Sequence, residues 1–234
     1  MNSPTFGAFS DYLCDEIVPF VESKFSCGGS SAHRAVLGHS SGGYGALLNG
    51  FQRSDIFSAV GSSAGDSWFE ISLLPLVKTA VIEFEKAGGP EKFIQKFLED
   101  PNPMGLPRAR GETMMLLCMM ACYAPNKNRP LFCDPFFDLN SGTIDENQWK
   151  KILQHDPLYW IPKMVRNNSN LPRYISLDAG TSDEYGLQLG HRQIAKILEG
   201  SNIKVDLEEY PGGHSGTSWR YAQRISKLVN AMNS

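Results

Sequence analysis

The run Gly38-His39-Ser40-Ser41-Gly42 constrains this chain more than any other feature, because of what flanks it. Before it stands Ala35-Val36-Leu37, a brief apolar segment next to glycine that suits a buried parallel strand. After it, Tyr44 to Phe51 has the composition of a helix. A G-x-S-x-G run between strand and helix predicts a turn so sharp that the serine is held in strained backbone, with small neighbours on either side to avoid clashes. Ser40 Oγ then stands clear of the carboxyl edge of a sheet. The Ser41 amide, first in the following helix and aided by its dipole, is positioned to stabilise an oxyanion. A purely structural glycine-rich turn is the alternative reading.

The rest of the chain fits an α/β class. A helix is expected from Ser10 to Phe25, with Pro19 placed to kink it or end it early. Phe57 to Ser62 reads as a second strand, Arg173 to Leu177 as a third and Lys204 to Tyr210 as a fourth. A loop is expected over Asp178 to Gly186, and helices at about Leu187 to Leu198 and Ser218 to Met232. Strands alternating with helices argue for a mostly parallel sheet with flanking helices. Between residues 66 and 162 the character changes to helical segments, Leu73 to Ala87 and Pro90 to Leu98, separated by proline-rich loops. We read 66–162 as an inserted, mostly helical cap and 1–65 with 163–234 as the core. The Met-rich stretch Met114 to Met120 suits either core packing or an adaptable substrate-facing wall.

A serine hydroxyl needs a base to become a useful nucleophile, and a histidine must reach it in the fold. Five histidines compete. His33 precedes the first strand, His155 closes the cap and His191 lies on a helix. His39 adjoins the serine, where side chains diverge, and is expected to line the pocket or pack beneath it. His214 follows the last strand in a loop of small residues, Gly212, Gly213, Ser215 and Gly216, at the sheet end where open α/β folds gather their sites. It is the expected general base. The orienting acid should lie between serine and histidine in the chain, and Asp178, Asp183 and Glu184 qualify. Asp178 ends a strand, where local amides can fix it, so Asp183, deeper in the loop, is preferred. Tyr185 beside it is expected to contact substrate.

Composition closes off other classes. With 41% hydrophobic and 20% charged residues the chain is neither disordered nor fibrous, and a net charge of −3 with scattered Lys and Arg disfavours nucleic acid. Cys14, Cys27, Cys118, Cys122 and Cys133 form an odd set without a metal-binding spacing, so buried free thiols, no metal and no cofactor are expected. No stretch reaches the roughly 18 apolar residues of a membrane span. A cytoplasmic location is the resulting expectation.

Gly38 to Ala46, Asp178 to Tyr185 and Gly212 to Ser215 together resemble the nucleophile, acid and histidine segments of the esterase D group of α/β-hydrolases, which includes S-formylglutathione hydrolases and carboxylesterases. The resemblance implies an α/β-hydrolase fold and a serine carboxylester hydrolase acting on small acyl esters. It assigns Ser40, Asp183 and His214 as the triad, the later aspartate of the acid loop being the catalytic one in that group. It departs at the N-terminus, where the group has further strands and a second oxyanion amide before the nucleophile. Here 39 residues precede Ser40, so the chain is expected to be N-terminally shortened, with an exposed sheet edge that invites a homodimer. Acyl transfer from the same acyl-enzyme, and a non-catalytic scaffold, are the competing functions.

Overall fold

The computed structural model describes residues 1–99, 107–167 and 170–233. The stretch 100–106 of the expected cap lies outside the described residues.

Four strands form a parallel sheet in chain order: β1 (Ala35–His39), β2 (Ala59–Ser63), β3 (Tyr174–Gly180) and β4 (Lys204–Tyr210). The register sets Ala35 beside Ala59, Ala59 beside Tyr174 and Tyr174 beside Lys204, so the strands start level and deliver their carboxyl ends to one edge. Alternation along β2 serves the two faces. Val60 joins Ala46, Leu47 and Phe51 of helix α1 (Ser41–Gln52), Ile161 of α2 (Pro157–Asn167) and Ile194 of α3 (Leu187–Leu198) in the main core. Ala59 faces Leu228 of α4 (Tyr221–Met232) on the other side.

Two expectations change. The third strand runs on through Gly180, because Asp178, Ala179 and Gly180 pair with Glu208, Glu209 and Tyr210, and only then does the loop begin. The helix before the sheet survives Pro19: a wider π-helical segment, Tyr12–Ile17, precedes the α-helix Val18–Phe25, and the Val18 amide reaches back to the Leu13 carbonyl. A π turn at that place accommodates the proline ring and its missing donor.

The chain divides into two compact units. One comprises Met1, Ala8–Trp68 and Asp156–Ser234 and holds the sheet; the other comprises Asn2–Gly7 and Phe69–His155. Asp66 to Trp68 and residues 157–162 of α2, which the sequence reading places in the 66–162 insertion, fall in the unit that holds the sheet. For α2 the cause is packing, since Leu158, Trp160, Ile161, Met164 and Val165 all meet the main core. The second unit has its own core, in which Phe84 meets Phe93 edge-on and Phe136 packs on Trp149. Of the Met-rich stretch, Met120 is buried in the helix Arg108–Tyr123, whereas Met114, Met115 and Met119 are partly covered.

Candidate active site

Between β1 and α1 the chain turns at Ser40, whose φ of 57° and ψ of −127° place an L-residue in strained backbone. Such a conformation costs about 1–3 kcal/mol and persists only where surrounding structure enforces it. The enforcement is visible: the Ser40 amide donates to the Ser63 carbonyl at 2.8 Å, and the Tyr44 amide to the Ser40 carbonyl at 3.0 Å. Glycine is required on both sides of the turn. A Cβ on Gly38 would sit 2.2 Å from the Gly42 carbonyl oxygen, and one on Gly43 would sit 2.9 Å from the Ser63 carbonyl oxygen. The Ser41 amide opens α1 and so belongs to the first turn, whose amides have no carbonyl partner within the helix.

Three side chains meet at this edge. His214 Nε2 lies 2.9 Å from Ser40 Oγ, and His214 Nδ1 lies 2.9 Å from Asp183 Oδ2. The carboxylate can only accept from Nδ1–H, which leaves Nε2 as the acceptor for the serine proton. Burial of Asp183 works to raise its pKa, but the hydrogen bond from His214 and the amides of Tyr185 and Leu187 outweigh it and hold the carboxyl below its ordinary value. A buried, ionised Asp183 is what an imidazolium on His214 would need. The histidine loop is fixed at both ends of its peptide: the His214 amide donates to Glu184 Oε2 at 2.7 Å, and His39 Nε2 donates to the His214 carbonyl at 2.9 Å. The His39 ring lies 4.8 Å from that of His214, and Tyr185 meets the same ring edge-on at 4.9 Å. His39, expected to line the pocket or pack beneath it, and Tyr185, expected to contact substrate, both flank the His214 ring. Burial, and then the neighbouring His214, lower the His39 pKa.

The family model Esterase, described as "Putative esterase", matches residues 2–223. The chain belongs to this family. It is a carboxylester hydrolase with the α/β-hydrolase fold. Similar solved structures include an S-formylglutathione hydrolase from Staphylococcus aureus, 16% identical with a TM-score of 0.56, and the fluorophosphonate-binding serine hydrolase F of the same organism, 18% identical with a TM-score of 0.57. Each match covers 100% of this chain and 67% of the other. MPT51 of Mycobacterium tuberculosis is 15% identical with a TM-score of 0.51, over 99% of this chain and 72% of the other. No curated protein matches in sequence.

In this esterase the other acids of the same segment have different partners. Asp178 lies in the body of β3, where its Oδ2 accepts from Arg220 Nε at 3.0 Å and from Arg224 Nε at 2.8 Å. Arg220 also pairs with Glu208 at 2.7 Å. Glu184 is the acceptor of the His214 amide. Of the remaining histidines, His33 is near Ser30 Oγ and His155 stacks on Tyr123 in the second unit. His191 is fully buried in α3, where its Nε2 accepts from the Gly65 amide at 3.1 Å; burial pushes its pKa down to about 4. Sequence reasoning passed over His191 and Asp66, since a histidine on a helix and an acid after a strand carry no pattern of their own. Among the described residues no cluster of three His, Cys, Asp or Glu is placed to hold a metal ion. No helix among them is long and apolar enough to cross a membrane.

Proposed function

We propose that the esterase hydrolyses small acyl esters through an acyl-serine intermediate, with Ser40 as nucleophile, His214 as general base and then acid, and Asp183 as the orienting carboxylate. One observation carries the reading: the unbroken hydrogen-bond relay from Ser40 Oγ through the His214 ring to Asp183. Ser40 Oγ attacks the ester carbonyl carbon while its proton passes to His214 Nε2. The carbonyl oxygen gathers negative charge opposite the Ser41 amide. Collapse breaks the bond to the alcohol oxygen, which takes the proton from His214 and leaves. Water then attacks the acyl-serine, giving its proton to His214, and Ser40 Oγ departs with that proton as the carboxylic acid forms. Only neutral imidazole accepts the first proton. Membership in a family of esterases gives acyl transfer no support.

The finer placement follows the same reasoning. The five cysteines form no disulfide among the described residues, and thiols of that kind suit a reducing compartment, so we place the enzyme in the cytoplasm. Among the described residues β1 pairs on one side only, which supports a homodimer joined along that edge.

A fluorophosphonate probe tests the function. Wild-type protein should take a single label that Ser40→Ala abolishes. Well-folded wild type that takes no label would instead be a scaffold.

A further inference from the structure

The segment that leaves β2 is built with unusual care. After Ser63, whose carbonyl holds the nucleophile's amide, the Ala64 amide donates to the Asp178 carbonyl at 2.7 Å and the Gly65 amide to His191 Nε2 at 3.1 Å. Gly65 presses so closely on the start of α1 that a Cβ there would stand 2.9 Å from the Gly43 carbonyl carbon. The Trp68 amide is held by Asp156 Oδ1 at 3.1 Å. Ala64 has a φ of 43° and Trp68 a φ of 51°. With Ser40 they are three of the five non-glycine residues of positive φ among the described residues, and strain of this kind collects where a side chain must be aimed. Between the two lies Asp66.

Every other buried carboxylate of this region is occupied. Asp178 has two arginines, Asp183 has His214 and backbone amides, and Asp156 has the amides of Trp68 and Leu158. Asp66 has no hydrogen bond or ion pair among the described residues, and the charges acting on it are those of His214 and Asp183. Burial raises its pKa to about 6, which still leaves it ionised at neutral pH. A partly buried carboxylate beside a second one, fixed by strained backbone and short of a donor, is costly unless something brings the donor.

We propose that Asp66 is a specificity-determining residue that accepts a hydrogen bond from an ammonium or hydroxyl group carried by the ester substrate close to its reacting carbonyl. The inference rests on the acyl-serine reading of the same site. It makes the preferred substrates short polar esters rather than simple alkyl ones, since an apolar chain in that place would strip water from Asp66 without replacing its hydrogen bonds.

Three isosteric esters test it: methyl butanoate, methyl hydracrylate and methyl β-alaninate carry methyl, hydroxyl and ammonium at the same place. Propyl acetate and ethylene glycol monoacetate do the same on the alcohol side. For each pair kcat/KM is measured in wild type, Asp66→Asn and Asp66→Ala, with active enzyme counted by fluorophosphonate labelling. The ratio of the donor ester to its alkyl isostere should fall roughly tenfold or more for the ammonium ester in Asp66→Asn, because the charge-assisted bond is lost. For the hydroxyl esters it should fall more in Asp66→Ala than in Asp66→Asn, whose amide oxygen still accepts. Ratios equal to wild type on both sides of the ester would overturn the assignment. Independently of any variant, N-methyl-β-alaninamide should inhibit wild type at least several-fold more tightly than N-methylbutanamide, and equal inhibition would overturn it too. Wild type that hydrolyses methyl butanoate but shows no such preference fails this inference alone. Wild type that hydrolyses nothing and takes no label fails the acyl-serine reading and this inference together.

Discussion

Two polar clusters sit within five residues of each other along one segment, and they are built on opposite plans. Around Asp183 each side chain makes one directed bond to the next, and the relay ends at a hydroxyl that faces the site. Around Asp178 the carboxylates are saturated with cations: Asp178 holds two buried arginines, Glu208 takes Arg220 and Lys227, and Lys227 also pairs with Asp206. Glu208 feels burial upward, but Lys227 and Arg220 draw its pKa down to about 2. The difference teaches that a strand-end acid is assigned by what already occupies it. The Asp178 carboxylate is committed to two guanidinium groups, whereas that of Asp183 is held by amides and a single imidazole.

The largest expected effect falls on the open cluster. Ser40→Ala and His214→Ala should each lower kcat by roughly 10⁴–10⁶ with thermal stability little changed, and the double variant should lose no more than the worse single one, because members of a triad act as a unit. Steady-state kinetics on a short-chain ester would read this, and a double loss near the product of the single losses would dissolve the cluster into independent groups.

Next comes the contrast itself. Asp183→Asn should cost roughly 10⁴ in kcat by presenting the wrong tautomer of His214. Asp178→Asn should spare turnover per folded molecule yet remove about 3–5 kcal/mol of stability, since it strands Arg224 in the interior and leaves Arg220 with Glu208 alone. Urea unfolding beside active-site titration separates the two effects. Exchange of the two phenotypes would mean the acid is misassigned.

Smaller is the acid sensitivity of the frame. His191 is buried neutral, with a pKa near 4 in the fold against 6.5 when free. As pH falls between those values the unfolded chain takes up a proton that the native chain refuses, so stability declines with acid, by about 3 kcal/mol across the window. His191→Gln, whose side-chain oxygen reaches the place of Nε2 and can still accept from the Gly65 amide, should flatten that decline in urea melts at stepped pH. An unchanged slope would place the acid sensitivity elsewhere.

The least effect is expected at the exposed pair Arg192–Glu209, at 2.5 Å on the surface of α3 and β4. Arg192→Ala should shift stability by less than about 1 kcal/mol and leave kcat alone. A larger loss would show that the saturated style of the Asp178 cluster extends to the surface.

What the sequence determined by itself is local. The strand, sharp turn and helix around Ser40 follow from apolar Ala35 to Leu37 and from glycines at 38 and 43, because no larger residue fits those two places. The order serine, acid, histidine followed from strand ends that all reach one edge of a parallel sheet. Length and periodicity likewise located Lys204 to Tyr210 and Leu187 to Leu198. Only the tertiary structure shows what partners Asp178, Asp183 and Glu184 have, since their difference lies in Arg220, Arg224 and His214, all more than 25 residues away in the chain. It likewise extended β3 to Gly180, because β4 supplies the pairing, and joined the first part of α2 to the sheet's unit, because Ile161 packs in that core. Asp66 and His191 were invisible for the same reason: whether a polar side chain is partnered or left waiting is a property of what folds around it, and no local pattern encodes that.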